Sequence, residues 1–248
     1  MKRLVTIPFS HYCEKARWAL DRARMTYTEE PHLPILHVPF ALRASGQRLV
    51  PILVTPHGAI TDSTRILEWV DGMLPEERRL FPHDPTLRAE VARWESRFDD
   101  ELGPHARRWG YWHVLPHRER VVSILGKHVP AWEKAVFSAG YPAAAALMRR
   151  GLRLTADGAA RSLEKVRRVF ADVSDALGDG RRYLTGDRFT AADVAFASLA
   201  GPAVLPDGYA KWLCGRDEAP PSMHALIDEL RATPAGRFVD RVYADERA

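Results

Sequence analysis

Ser10 and Cys13 stand three residues apart in the stretch TIPFSHYCEKARWALDRA, where an apolar run and Pro8 give way to a strongly helical segment. Two chemistries fit that junction. Ser is a preferred helix cap, because its hydroxyl accepts from N–H groups that the first turn leaves unpaired. A Cys one turn into a helix is either a packed, inert thiol or, where exposed, one acidified by the helix's positive end. Asp62-Ser63, at the head of STRILEWV, poses the same alternatives: a cap or an anion-binding helix start. Further along, RRWGYWHVLPH (Arg107 to His117) gathers aromatic rings beside basic groups. His113 and His117 have the four-residue spacing of a metal-binding pair, but Pro116 lies between them and no third ligand accompanies them, so no metal is expected.

The composition narrows the partners. With 248 residues, 46% hydrophobic and 27% charged, the chain reads as a packed globular protein with room for one large domain or two smaller ones. The formal charge of +4 is mild and its basic residues alternate with acidic ones, so neither nucleic acid nor an anionic membrane surface is implied. Cys13 and Cys214 are the only cysteines, which excludes a disulfide framework and suggests a reducing compartment. Met1 to Ile7 carries no long apolar leader segment and no run of about 18 apolar residues occurs, so the expected location is cytoplasmic.

The elements that must position these residues follow from hydrophobic period. Arg3 to Ile7 reads as a buried strand closed by Pro8, and Cys13 to Arg24 as a helix with Ala16, Ala19, Leu20 and Ala23 on one face. Thr26 to Thr28 is a second strand and Phe40 to Ala44 a short helix. A strand over Ile52 to Val54, a turn, a strand over Ala59 to Thr61 and a helix from Ser63 complete a β-α-β-α-β-β-α unit. LPEERRLFPHDP, with its prolines and charges, reads as a linker. Beyond Thr86 the pattern is helical: Leu87 to Leu102, Tyr141 to Leu154, Leu163 to Leu177 and Met223 to Val242. The expected domains are 1–80, mixed α/β, and 86–248, all helical.

This order of elements, with a polar residue at the first turn, Val50-Pro51 before a strand and an acidic-Ser pair before the last helix, resembles the glutathione S-transferase family. The resemblance implies a thioredoxin-like N-terminal domain that binds glutathione and a helical-bundle C-terminal domain that binds the second substrate. In similar proteins a hydroxyl or thiol at the first turn faces the glutathione sulfur, which places Ser10 there and Cys13 at the second position of a redox CxxC. His11 stands where the family often has Pro. Val50 before a cis Pro51 would pair with the tripeptide backbone, Asp62 and Ser63 would hold its γ-glutamyl end, and His37, with Arg48 in reserve, its glycyl carboxylate. GDRFTAADVAF (Gly186 to Phe196) resembles a buried helix start of the family's second domain, with Thr190 and Asp193 as a capping box and Phe189 as a staple.

The resemblance also implies an apolar second-substrate pocket, for which Tyr12, Arg108, Trp109, Trp112 and His113 are the candidates, suited to a planar or anionic acceptor. The implied activity is conjugation of glutathione, as co-substrate, to a small electrophile, a detoxification chemistry carried out by homodimers. Thiol-disulfide exchange through Cys13, or glutathione binding without turnover, remain open alternatives.

Overall fold

The computed structural model describes residues 1–247. Seven elements make the first part: β1 (Lys2–Thr6), α1 (His11–Arg22), β2 (Tyr27–Pro31), α2 (His37–Ser45), β3 (Ile52–Thr55), β4 (Gly58–Thr61) and α3 (Ser63–Asp71). The strands form one sheet in the order β2-β1-β3-β4, with β1 parallel to β2 and antiparallel to β3, and β3 antiparallel to β4. A parallel pair needs a crossover element, and α1 supplies it. Successive side chains of a strand point to opposite faces. Leu4 and its register partner Leu53 therefore join Ala16, Ile66 and Leu67 of α1 and α3, whereas Val5 and its partner Ile52 pack with Ala41 of α2.

β2 runs three residues further than its apolar character predicts. Glu29 and Glu30 lie in the strand because cations meet them: Arg17 reaches Glu29 at 2.7 Å and Arg3 reaches Glu30 at 2.5 Å.

The second part is helical: α4 (Pro85–Arg97), a π-helical turn (Phe98–Leu102), α5 (Gly103–Val114), α6 (Arg118–Leu125), α7 (Ala131–Ala139), α8 (Tyr141–Gly151), α9 (Ala156–Ala176), α10 (Ala191–Val204), α11 (Asp207–Ala210), α12 (Pro221–Arg231) and α13 (Pro234–Glu246). Helix α10 is buried along its whole length, as a helix apolar on every face must be, and it packs on α1, α4, α5, α12 and α13. The amphipathic stretch Met223 to Val242 is two helices. Thr233 caps the second through Gly236 N–H (3.0 Å), and Pro234, lacking an N–H, cannot continue the first.

The proline-rich stretch after α3 is no loose linker. Leu74, Leu80 and Phe81 are buried, and the Asp71 carboxylate accepts from the N–H groups of Leu80 (2.5 Å) and Phe81 (3.2 Å). At the far end, the Asp193 carboxylate accepts from Leu184 N–H (2.8 Å), Thr190 N–H (2.7 Å) and the Thr190 hydroxyl (3.0 Å). Phe189 beside it stacks on Trp18 of α1, so the start of α10 also fastens the two parts together.

Candidate active site

The turn between β1 and α1 presents Ser10. Its N–H donates to Ile7 O (2.9 Å), its carbonyl accepts the Glu14 N–H (2.9 Å), and its side chain makes no capping bond to α1. Ser10 lines the cleft between the two parts. The turn is pinned from behind. Arg17 donates to Pro8 O (2.7 Å) and the Tyr209 hydroxyl to Phe9 O (2.6 Å), both side chains being fully buried. Burial opposes the charge on Arg17, but the Glu29 and Glu14 carboxylates outweigh it and hold the guanidinium above its ordinary range; its plane lies 3.9 Å over Trp212.

Cys13 lies beneath this turn with 0% exposure. Burial pushes its thiol up to about 11, although the nearby Arg17 charge and hydrogen bonds from the Ile7 backbone and the Ser10 hydroxyl favour the anion. A buried, protonated thiol is not a nucleophile, so the reading of Cys13 as a catalytic residue is corrected: it is packing beneath Ser10.

Tyr12 is corrected as a pocket residue, and His11, which lines the cavity, has its ring N–H engaged. His11 is buried and its Nε2–H donates to Gly103 O (3.0 Å); burial and the Arg107 charge bring its pKa down to about 3, so it is neutral. The Tyr12 hydroxyl donates to Asp99 O (2.9 Å). Both side chains clasp the π-helical turn where α4 passes into α5. A Cβ at Gly103 would collide with the Tyr12 ring and hydroxyl, so this close approach requires glycine.

Val50-Pro51 is cis and leads into β3. Asp62 sits at φ 81°, unusual for a non-glycine residue, and its Oδ1 caps α3 by accepting from Thr64 N–H (2.8 Å) and Arg65 N–H (3.3 Å). Ser63, the first residue of α3, is buried. His37 donates from Nε2 to Arg48 O (3.0 Å), and burial lowers its pKa; a neutral ring with its one N–H engaged is not a carboxylate receptor, whereas the exposed Arg48 guanidinium has no partner among the described residues.

One constellation escaped the sequence reading. Lys15 Nζ, fully buried, donates to Thr64 Oγ1 (3.0 Å) and to both Asp99 carboxylate oxygens (2.9 and 2.8 Å), and also pairs with Glu95. It locks the head of α3 to α4 and the π-helical turn. Only an apolar-looking helix carrying a lysine on its buried face could have signalled it.

The cleft holds a cavity of about 110 Å³. Its wall from α5 consists of Arg107, Gly110, Tyr111 and Val114, one face at i, i+3, i+4 and i+7 spacing. Ile7, Phe9, Ile124, Leu125, Leu213 and Met223 make the remainder largely apolar. The expected pocket residues lie elsewhere on the helix. Arg108 points to α8 and α9, donating to Leu152 O (3.0 Å) and Ser162 Oγ (3.1 Å). Trp109 is core, Trp112 packs against the core from its margin, and His113 Nδ1 meets Ser222 Oγ (2.9 Å) on α12. The segment borders the cavity, but through the face of Arg107, Gly110, Tyr111 and Val114 rather than that of Arg108, Trp109, Trp112 and His113. Among the described residues no group of three or more His, Cys, Asp or Glu side chains could hold a metal ion.

Residues 4–78 match the model of the glutathione S-transferase N-terminal domain and residues 156–229 that of its C-terminal domain. No curated protein matches the chain. Among solved structures the chain is similar to a glutathione S-transferase from Rhodospirillum rubrum F11 (20% identity, 100% of both chains, TM-score 0.58). It is also similar to one from Methylobacterium radiotolerans JCM 2831 in complex with glutathione sulfonate (23% identity, 95% of this chain and 92% of that one, TM-score 0.54). A third is the β-etherase LigF from Sphingobium sp. strain SYK-6 (19% identity, 97% and 98%, TM-score 0.63). With a thioredoxin-like sheet unit, an all-helical second part and both domain models matched in order, the chain belongs to the glutathione S-transferase family.

Proposed function

We propose that the protein is a glutathione transferase in which Ser10 holds the glutathione thiolate and the anion attacks a small electrophile seated in the cavity. The observation that carries this reading is Ser10 itself, which lines the cavity at the N-terminus of α1; its side chain makes no cap, and the neutral Cys13 thiol beneath is the partner its hydroxyl would give up for the glutathione sulfur. A free thiol has a pKa near 8.5, so most of it is protonated at neutral pH. A hydroxyl donor to the sulfur supplies roughly 1–3 kcal/mol, about one to two pKa units, and the helix's positive end adds to it. The glutathione backbone pairs with Val50 ahead of cis Pro51. Its γ-glutamyl carboxylate takes Ser63 at the head of α3, with the Asp62 oxygen not used in capping facing the ammonium. Arg48 rather than His37 meets the glycyl end.

Thiol-disulfide exchange would need an exposed thiolate at Cys13, and the burial of that residue argues against it. A homodimer of cytoplasmic detoxification type remains part of the proposal, and sedimentation measures its assembly.

The test is a calorimetric titration with glutathione, followed by ultraviolet absorbance of the bound thiolate. Wild type should bind and ionise the thiol below its solution pKa. Ser10→Ala should still bind but lose about ten- to hundredfold in conjugation rate, the kinetic equivalent of one such hydrogen bond. Equal ionisation in pocket and buffer would sink the mechanism.

A further inference from the structure

Among the described residues Arg107 is the one guanidinium in the wall of the cavity, and it has no salt bridge or hydrogen bond there, its Nε being buried without a partner. Elsewhere the interior pairs its cations thoroughly: Lys15, Arg17 and Arg108 each carry several acceptors. Arg107 also sits close enough to be felt electrostatically at His11, Tyr12 and Tyr111. One turn on, the Tyr111 phenol is kept protonated by burial and donates to nothing among the described residues. Two donors without acceptors thus share one helix face, at i and i+4, in a cavity otherwise lined mainly by aliphatic and aromatic side chains. The buried Nε of Arg107 is costly to leave unsatisfied, so its natural partner is an acceptor brought by the ligand, with the unengaged Tyr111 phenol beside it.

We infer that Arg107 and Tyr111 select electrophiles carrying a carboxylate on an apolar body of about one aromatic ring. The guanidinium fork matches a carboxylate in bidentate fashion, and the phenol adds a third donor. Size sets an upper bound on the buried part of such a ligand: a dry cavity of about 150 Å³ accommodates benzene, and the volume here is about 110 Å³, so the cavity takes in no more than one ring. Anchoring the carboxylate at the α5 wall leaves the reacting carbon toward the Ser10 side of the cavity. The inference rests on the transferase reading for its reaction, though not for its binding.

The probes are 4-chloro-3-nitrobenzoate and its uncharged amide, 4-chloro-3-nitrobenzamide. In each the glutathione sulfur bonds to the ring carbon that bears chlorine, the C–Cl bond breaks with its electron pair leaving as chloride, and the thiol proton passes to solvent. Wild type should favour the benzoate in kcat/KM. Arg107→Met should lower kcat/KM for the benzoate by about ten- to hundredfold, the equivalent of losing one charge-assisted pair, and leave the amide within about threefold. Tyr111→Phe should lower it by less, in the same substrate-selective way. Arg107→Lys, which keeps the charge and loses the fork, should fall between, and serves if the Met variant does not fold.

Binding of 3-nitrobenzoate in the absence of glutathione, measured by calorimetry, separates the two proposals. Arg107-dependent binding with no conjugation of either probe would overturn the transferase reading and support the anion site. Conjugation that falls equally for benzoate and amide in Arg107→Met, or that does not change for either, would overturn the anion site and leave the transferase reading standing.

Discussion

Arg107 and Arg108 are adjacent in the chain and serve different sides of α5: Arg107 lines the cavity without a partner among the described residues, while Arg108 donates to Leu152 O (3.0 Å) and Ser162 Oγ (3.1 Å) in the helical core. A helix turns about 100° per residue, so one step exchanges a ligand-facing group for a structural one. Arg108→Met should therefore cost about 1.5–3 kcal/mol of stability, as loss of hydrogen bonds from a charged donor does, and leave probe selectivity unchanged. Thermal unfolding alongside the two nitrobenzene probes measures both. A shift in selectivity would mean that the assignment of the two faces is wrong.

Arg17 holds the Ser10 turn through Pro8 O and neutralises Glu29 and Glu14 at 0% side-chain exposure of its own. Arg17→Met would leave Glu14 to Arg247 and Glu29 to the Thr6 hydroxyl, removing the charge-assisted bonds to Glu29 and Pro8 O, a loss of about 1.5–3 kcal/mol. Denaturant unfolding should register that loss. A change below about 1 kcal/mol would show that the network does not hold the turn.

Helices α6 to α8 lie between the packed pair α5 and α9 in the chain, and α7 touches the first part of it. Glu133 on α7, fully buried, bonds His32 Nδ1 (2.5 Å) and accepts the Leu33 N–H (2.8 Å). Glu133→Ala should cost about 2–5 kcal/mol, because two buried groups lose their partner. Amide exchange should accelerate in the β2–α2 connection and in α7 together. Acceleration confined to α7 would show that the contact does not couple them.

His11 is neutral in the fold, with a pKa brought from 6.5 to about 3 by burial and the Arg107 charge. The unfolded chain binds the proton first on acidification, so this contribution to stability is complete above pH 6.5 and is lost as pH falls toward 3. His11→Gln can keep the donor to Gly103 O without the titration. Its stability should decline less steeply than wild type's across that window, and a parallel decline in the two proteins would refute the assignment.

Much of the fold was legible because period and punctuation are local. The alternation of Leu4 and Val5, the i, i+1, i+4 spacing of Ile66, Leu67 and Val70 and the Thr190–Asp193 cap each depend on residues a few positions apart. Extension of β2 through Glu29 and Glu30 was not legible, because the cation that stabilises Glu29 comes from the buried face of α1.

What the amino-acid order alone determined, then, is the sequence of strands and helices, the placement of Ser10 at a helix mouth and the aromatic, basic character of α5. Tertiary structure decided which of those groups meet solvent or ligand. Rotation of α5 about its axis exposes Arg107 and buries Trp109, packing of α1 covers Cys13 while Ser10 stays open, and the engaged Nε2 of His37 leaves Arg48 as the available cation. The physical reason is that burial is set by neighbours remote in the chain, and burial governs both the protonation and the availability of a polar group.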